Sequence, residues 1–406
     1  MSITVVDSIM GSGKSTWARR YMNSHPEKRW IYVTPYLKEI EKTADECNLL
    51  ALYEPKVGHV GSHNKSEDLV ALIEHGKSIV TTHSLFLRIK QNTELLLTIK
   101  SKHYCLIIDE ALDVVRHEKI GKDDINALIA YGVCEVDKET NALSWPKEYN
   151  GSYSNLLELA KTGTVFSYQE QALIWLFRPE IFTVFDAVYL LTYLFDGTRI
   201  RCYFDFYNIE YKLYYLNKYD IAQGRIDDDT VKKKLLDLID IYDGHLNDVA
   251  SGKYSYYFLS KNWYNTKENK KKQMQVYKNA YNYLHNIQKA TSGKNGNALY
   301  TNFIDVNNKY PLNSYKKSFL QCSQKSTNDY DNKTNLVYLI NAFEDPEITN
   351  FFSEYDIHYN EDMYALNSMI QWIWRSAIRK GQQIHIYIPS QRMRELFTKW
   401  LKNEYV

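Results

Sequence analysis

The stretch Ile3-Thr4-Val5-Val6-Asp7-Ser8-Ile9-Met10-Gly11-Ser12-Gly13-Lys14-Ser15-Thr16 passes from a β-branched run, through a Gly/Ser turn, into a helical segment reaching about Asn23. Small residues at such a junction let the backbone curl so that several N–H groups point at phosphate oxygens, and the helix start adds its dipole. In this pattern Lys14 reaches the β/γ-phosphates and the Ser15 hydroxyl ligates Mg²⁺. The full phosphate-loop motif has Gly where Ser8 stands, but the G-x-G-K-[ST] end is intact. Gly11, Ser12, Gly13, Lys14, Ser15 and Thr16 are therefore expected to bind ATP with Mg²⁺.

Strand, turn and helix repeat outward from that start. Trp30–Val33 reads as a strand and Pro35–Glu46 as a helix; Ser78–Thr82 is a strand with a helix from Ser84 to Lys90 behind it. Tyr104–Ile108 is an almost unbroken apolar run, the mark of a strand buried on both faces of a parallel sheet, and Ala187–Thr192 is another. Asp109-Glu110 follows the first of these. One carboxylate there can hold Mg²⁺ while its neighbour activates the attacking water. A charged helix, Asp227–Tyr242, opens a second set, with strands at Tyr254–Ser260, Asn335–Ile340 and Gln383–Ile388, a long helix over Lys267–Ala290 and a closing helix at Gln391–Lys402. The expected class is α/β, with two units, each a parallel sheet with helices on both faces. The first domain is expected over residues 1–220 and the second over 221–406. Residues 116–182 fit the alternation poorly and read as an insertion containing a hairpin, Val133–Asp137 with Ala142–Trp145.

Composition narrows the partners. The chain has 406 residues, of which 44% are hydrophobic, enough to bury real cores. No apolar run approaches the ~20 residues of a membrane span, and no secretory leader pattern opens the chain. Five scattered cysteines without a CxxC pair argue against a disulfide framework or a zinc site, and for a cytoplasmic setting. The net charge of +1 speaks against a strongly nucleic-acid-binding surface until it is divided along the chain. Residues 1–200 carry 22 basic and 26 acidic side chains, residues 201–374 carry 21 of each, and residues 375–406 carry 7 basic and 2 acidic. The positive excess is concentrated at one end.

Ile9–Thr16, Val33–Ile40, Val80–Phe86, Leu106–Asp113 and Gln371–Arg379 resemble, in order, the motifs of superfamily 2 helicases of the DEAD/DEAH-like kind. The resemblance spans Ile9 to Arg379 and implies two RecA-like domains with the ATP site in the cleft between them. It implies that Thr34-Pro35 touches the nucleic-acid backbone, that Thr81-Thr82 does the same, and that Asp109-Glu110-Ala111-Leu112 is the DEAx box. Leu191–Leu194 stands where the coupling motif belongs, with Tyr193 in place of its small residue. Gln371, Arg375 and Arg379, spaced i, i+4, i+8, fall on one helix face. The resemblance assigns them to the γ-phosphate, where an arginine neutralises developing charge. Trp374 replaces the family's Gly and the second arginine falls one residue late. Tyr254–Asn262 is similar to the motif IV strand. Thr327, within Ser326–Asp329, is the candidate for motif V, bridging nucleic acid and nucleotide.

These readings imply an ATP-dependent translocase or helicase, of a compact phage or viral type, hydrolysing ATP to ADP and phosphate while moving on or unwinding DNA. The setting expected is phage or plasmid replication or recombination, in the host cytoplasm if viral. The partner is single-stranded or forked DNA, gripped without sequence preference, in preference to RNA; replication or recombination proteins would recruit it, and no membrane is involved. The alternatives are a nucleotide-switched DNA-binding or loader ATPase that never unwinds, a P-loop kinase, and a DNA-packaging ATPase whose nuclease carboxylates are not recognisable after Tyr254.

Overall fold

The computed structural model describes residues 3–58, 62–88, 93–225, 228–250, 256–322 and 330–404. In the first of its two α/β units, β1 (Ile3–Asp7) passes into α1 (Lys14–Asn23), and β2 (Arg29–Thr34) into α2 (Leu37–Glu46). The short β3 (Leu52–Tyr53), α3 (Lys65–Glu74), β4 (Ser78–Thr82), α4 (His83–Leu87) and α5 (Thr93–Ser101) precede β5 (Tyr104–Asp109). An excursion follows: β6 (Val115–Glu118), α6 (Lys122–Ala130), β7 (Glu135–Val136), β8 (Leu143–Ser144), α7 (Ser154–Ala160), β9 (Val165–Tyr168), β10 (Ala172–Leu176) and α8 (Glu180–Thr183). The main sheet resumes with β11 (Ala187–Thr192), α9 (Arg199–Phe206), β12 (Tyr211–Asn217) and β13 (Asp220–Gln223). Its order is β13-β12-β1-β11-β5-β2-β4-β3, parallel except for the β12–β13 hairpin.

Every residue of β5 is buried, as its apolar run requires of a central strand. Register fixes the faces: Tyr32 lies beside Ile107 and Leu191 beside Asp109, so Tyr32 and Asp109 project to the same side of the sheet. Trp17, Ala18 and Met22 of α1 cover that side, packing with Val6, Trp30, Tyr32, Ile107 and Leu191. The excursion forms its own antiparallel sheet, β6-β10-β9, plus the β7–β8 hairpin.

The second unit contains α10 (Asp229–Leu238), β14 (Ile239–Ile241), α11 (Lys261–Asn265), α12 (Lys270–Asn282), β15 (Ala298–Thr301), α13 (Ile304–Lys309) and β16 (Asn335–Tyr338). The chain then passes through α14 (Pro346–Ser353), within the segment Glu344–Asn360 that belongs to the first unit. It returns with α15 (Glu361–Ile373), β17 (Ile384–Tyr387) and α16 (Gln391–Leu401). The second sheet is parallel throughout, in the order β14-β17-β16-β15. Both units are RecA-like, parallel sheets flanked by helices, as the sequence implied.

Three local expectations are corrected. The described part of the Tyr254–Ser260 strand, from residue 256 onward, is a series of turns. Leu259 has φ 65°, a left-handed backbone that no strand accommodates, and the Asn341 amide holds the Tyr256 and Phe258 carbonyls at 2.6 and 3.0 Å. The sheet's edge is instead β14, at the end of what reads as one charged helix; alternation in Ile239-Asp240-Ile241 outweighs the helical pattern there. The expected long helix at Lys267–Ala290 is a 3₁₀ turn at Lys267–Asn269, then α12, then a π turn at Tyr283–Ile287. Among the described residues no helix is long and apolar enough to cross a membrane.

Candidate functional site

The Gly/Ser turn has the backbone that its composition demands. Gly11 has φ 75° and Gly13 has φ 97°, conformations that cost a residue with a Cβ but not glycine. Gly13 precedes α1, and its carbonyl accepts the first helical bond from the Trp17 N–H at 2.8 Å. Among the described residues no side chain caps the start of α1, and no acidic residue lies in its first turn. The orphan N–H groups of that turn therefore have no capping side chain, which suits phosphate. The Ser12 hydroxyl is buried without a partner among the described residues, a donor that a phosphate oxygen would satisfy. Lys14 Nζ donates to the Ser8 carbonyl, so its charge is folded over the same turn. Thr16 Oγ1 accepts from Arg19 at 3.4 Å, and the buried Arg19 pairs with Glu39 and the exposed Glu46, holding α1 to α2.

The acidic pair closes on this turn. Ser15 Oγ donates to Asp109 Oδ2 at 2.7 Å, joining the loop after β1 to the end of β5. The Tyr32 hydroxyl donates to the same oxygen at 2.7 Å. Burial holds the Asp109 carboxyl above the usual carboxylate range; the Tyr32 and Ser15 hydroxyls and the nearby Lys14 pull the other way. Burial and the adjacent Asp109 likewise push the Tyr32 phenol far up, so that it stays a donor. Glu110 has φ 68°, a strained setting for a residue with a Cβ, fixed by its N–H donating to the Leu191 carbonyl at 2.9 Å. Its carboxylate accepts from the Tyr36 hydroxyl at 2.8 Å. The next carbonyl of β11 serves the phosphate loop, because Ser8 N–H donates to Thr192 O at 3.0 Å. His83 Nε2 bonds the Asp109 carbonyl at 2.8 Å and fastens β4 to the same strand end.

Asp7 is half-buried, and desolvation raises its carboxyl despite a bond from the Phe195 N–H at 3.1 Å. Thr34 and Thr81 are buried as whole residues, backbone and side chain alike. Pro35 is half-buried. Thr82 caps α4, its Oγ1 accepting from the Leu85 N–H at 3.2 Å. The structure thus gathers Lys14, Ser15, Asp109 and Glu110, while Thr34, Thr81 and Thr82 stand at the ends of β2 and β4. Tyr32, Tyr36 and His83 escaped the sequence reading. The signal for Tyr32 was available, since strand alternation puts it on one face with the residue ending the neighbouring strand.

In the second unit Gln371 lies in α15 and bonds Asn367 at 3.0 Å. The expectation that Gln371, Arg375 and Arg379 share one helix face is corrected. α15 ends at Ile373, the chain tightens through Arg375 N–H to Trp372 O at 3.2 Å, and the Ser376 hydroxyl caps the Ile373 carbonyl at 2.6 Å. Arg375 lies in the following turn, where it donates to the Cys322 carbonyl at 3.4 Å, and Arg379 lies in a 3₁₀ turn, Ala377–Lys380. Trp372 is buried, with its indole N–H on the Leu320 carbonyl at 3.1 Å. Thr327 lies outside the described residues, as does all of Ser326–Asp329. Among the described residues no group of three or more His, Cys, Asp or Glu is placed to hold a metal ion. A Mg²⁺ carried on nucleotide phosphates needs fewer protein ligands, because phosphates and waters complete its octahedron.

Comparison with known proteins follows these boundaries. Residues 233–401 match the family model of a YonV C-terminal Rossmann-like domain, and residues 115–175 match that of a YonV middle domain, the part of the chain holding the β6-β10-β9 sheet. Over 420 aligned residues the chain is 40% identical to the SPbeta prophage-derived uncharacterized protein YonV of Bacillus subtilis (strain 168), covering 99% of each. The chain belongs to the YonV family. Among solved structures, YonV-type architecture is similar to an XPD helicase, with TM-score 0.52 and 12% identity, covering 99% of this chain and 94% of that one. An apo XPD structure gives 0.51 at 13%, covering 99% and 95%. Xpd4 of S. tokodaii gives 0.51 at 11%, covering 98% and 94%. At these identities the likeness is one of fold, and it joins this YonV family member to the two-unit RecA-like architecture.

Proposed function

We propose that this protein is a nucleic-acid-stimulated ATPase of the superfamily 2 helicase type. The observation that carries the reading is the Ser15–Asp109 bond of 2.7 Å, which brings a G-x-G-K-S turn onto the acidic pair ending β5. Lys14 and the first-turn N–H groups of α1 hold the β/γ-phosphates, with Gly11, Ser12, Gly13 and Thr16 shaping the turn. Ser15 and Asp109 hold Mg²⁺, which when bound supplies positive charge to the phosphate oxygens. Glu110 takes the proton of the attacking water, and ATP leaves as ADP and phosphate. Gln371, Arg375 and Arg379 supply polar and positive groups to the γ-phosphoryl during turnover.

DNA is the strand proposed, because the curated relative is prophage-derived and a prophage is resident DNA. The strand ends Thr34-Pro35 and Thr81-Thr82, together with Thr327, are its proposed contacts. The biological setting proposed is phage DNA replication or recombination. Steady-state hydrolysis measured with no nucleic acid, single-stranded DNA and RNA tests the reading; stimulation by single-stranded DNA is expected, and turnover indifferent to all three would overturn it. Glu110→Gln should bind nucleotide normally and lose turnover by about 100-fold or more, the range for a displaced general base. Arg375→Ala should lower kcat far more than nucleotide affinity; equal losses would remove its assigned role. Strand-displacement assays separate a helicase from an ATPase that only translocates.

A further inference from the structure

A nucleotide bound at this turn would have a direction. Ser15 and Asp109 meet at 2.7 Å on the side of β1 where β11 and β5 lie, so the γ-phosphate end belongs there. The nucleoside end then points to the other side of β1, where β12 and β13 form a hairpin at the edge of the sheet. That hairpin runs past the end of β1. Val6 pairs with Tyr214, the Leu216 N–H donates to Ser8 Oγ at 2.8 Å, and the turn at Lys218-Tyr219 lies beyond both. It also borders the phosphate loop and α1. A Cβ on Gly13 would lie 3.8 Å from Leu216 Cδ2, and the Trp17 indole N–H donates to Asp220 Oδ1 at 3.4 Å.

At the tip of the hairpin an aromatic ring stands in water. Tyr219 is 77% exposed, Lys218 turns the chain at φ 57°, and the Arg20 guanidinium of α1 lies 5.7 Å from the Tyr219 ring centre. The tip is held in place: Asp220 Oδ1 also accepts from the Ile221 N–H at 2.8 Å, and the buried Trp17 stacks on Tyr21 at 5.2 Å. Three residues of chain beyond Leu216 span at most about 11 Å, so the ring is within reach of a nucleoside whose phosphates occupy the loop. We propose that Tyr219 is the nucleobase platform of the ATP site, the base lying on its ring while Arg20 steadies that ring from α1. This rests on the reading of the G-x-G-K-S turn as the phosphate site. A phosphate loop grips phosphates through backbone N–H groups and reads no base. Stacking adds affinity for the base through its face, without hydrogen bonds to its edge.

Calorimetric titration of the full-length chain with ATP and with tripolyphosphate, each with Mg²⁺, tests the proposal, because tripolyphosphate carries three phosphates and no base. The parent is expected to bind ATP more tightly than tripolyphosphate. Tyr219→Ala should weaken ATP binding about fivefold or more, the lower end of what one base–aromatic stack contributes, and leave tripolyphosphate binding unchanged. Tyr219→Phe, which keeps the ring, should restore the ATP affinity. Unchanged ATP affinity in Tyr219→Ala would overturn the proposal. So would equal losses for both ligands, which would make the hairpin a support for the loop and not a contact for the base. A parent that binds neither ligand defeats the phosphate-site reading, and the base site with it. A parent that binds the two equally well keeps the phosphate site and defeats the Tyr219 assignment alone.

Discussion

Asp109 shows at the scale of one residue how a site is kept at the expense of stability. It is 6% exposed, and burial raises its carboxyl above its ordinary value. For a group whose folded pKa is raised, protonation favours the native state. Its contribution to stability is fully present below the unfolded value of about 3.9 and is lost as pH rises through the folded one. At neutral pH the ionised carboxylate is thus a burden, relieved in part by the Ser15 and Tyr32 hydroxyls. Asp109→Asn keeps an acceptor for both hydroxyls and removes the charge. It should melt no lower than the parent at pH 7, with the difference shrinking toward pH 4, while Mg²⁺-dependent ATP hydrolysis falls by about 100-fold, the scale on which one catalytic charge acts. A variant melting well below the parent at pH 7 would show that the charge is a structural asset. Desolvation raises Asp7 in the same way, so the first unit carries two such acids beside one turn.

At the scale of elements, what could be read was what local pattern dictates. The β-branched and apolar runs of β1, β2, β4, β5 and β11 lie where they were expected, and the β7–β8 hairpin falls inside its expected range. The misreadings share a cause, which is that tertiary partners decide between local options. Residues 256–259 carry strand-like residues but turn because Asn341, far along the chain, grips two of their carbonyls. β14 is a strand because β17 is beside it. Tyr36 was invisible as a site residue because nothing in its local sequence announces a carboxylate 74 positions away. Equally unreadable was the segment Glu344–Asn360, which belongs to the first unit although second-unit chain flanks it on both sides. Its anchor is Glu344, 3% exposed, which takes two bonds from Arg199 at 2.7 and 2.8 Å and one from the Tyr359 hydroxyl at 2.7 Å. Arg199 is only half-buried and keeps Asp113 and the Val115 carbonyl, so Glu344→Ala should cost about 2 kcal/mol, the scale of lost hydrogen bonds to a charged group. The expected signature is a lower unfolding midpoint with proteolytic cleavage appearing within residues 344–360. An unchanged midpoint would mean that Asp113, at 2.8 Å, satisfies Arg199 alone.

For the whole molecule, two bulk properties read differently once the structure is known. As a count the 35 tyrosines are no evidence for base stacking, and many are core residues whose hydroxyls find partners. Tyr300 reaches Asn307 at 2.8 Å, Tyr315 the Ala290 carbonyl at 2.8 Å and Tyr387 the Leu246 carbonyl at 2.7 Å. Their abundance reflects how this chain fills its interior. Charge is the other property. Of the seven basic residues after position 374, Arg392 is buried, paired with Asp362 at 2.6 Å and stacked on Phe343 at 4.3 Å, and Lys380 pairs with Asp331 at 2.8 Å. Two more, Arg375 and Arg379, are those proposed for the phosphates, which leaves Arg394, Lys399 and Lys402 for a nucleic-acid backbone. Each phosphate contact on a single strand contributes a slope of about −0.7 to the dependence of log affinity on log salt. A grip drawing on those three alone should therefore show a shallow slope, on the order of −2, for the oligo(dT) concentration that half-saturates ATPase stimulation. The slope should be the same for oligonucleotides of different sequence, since backbone contacts carry no base information. A slope as steep as about −7 would require roughly ten contacts and would place the grip on basic side chains beyond those available after position 374.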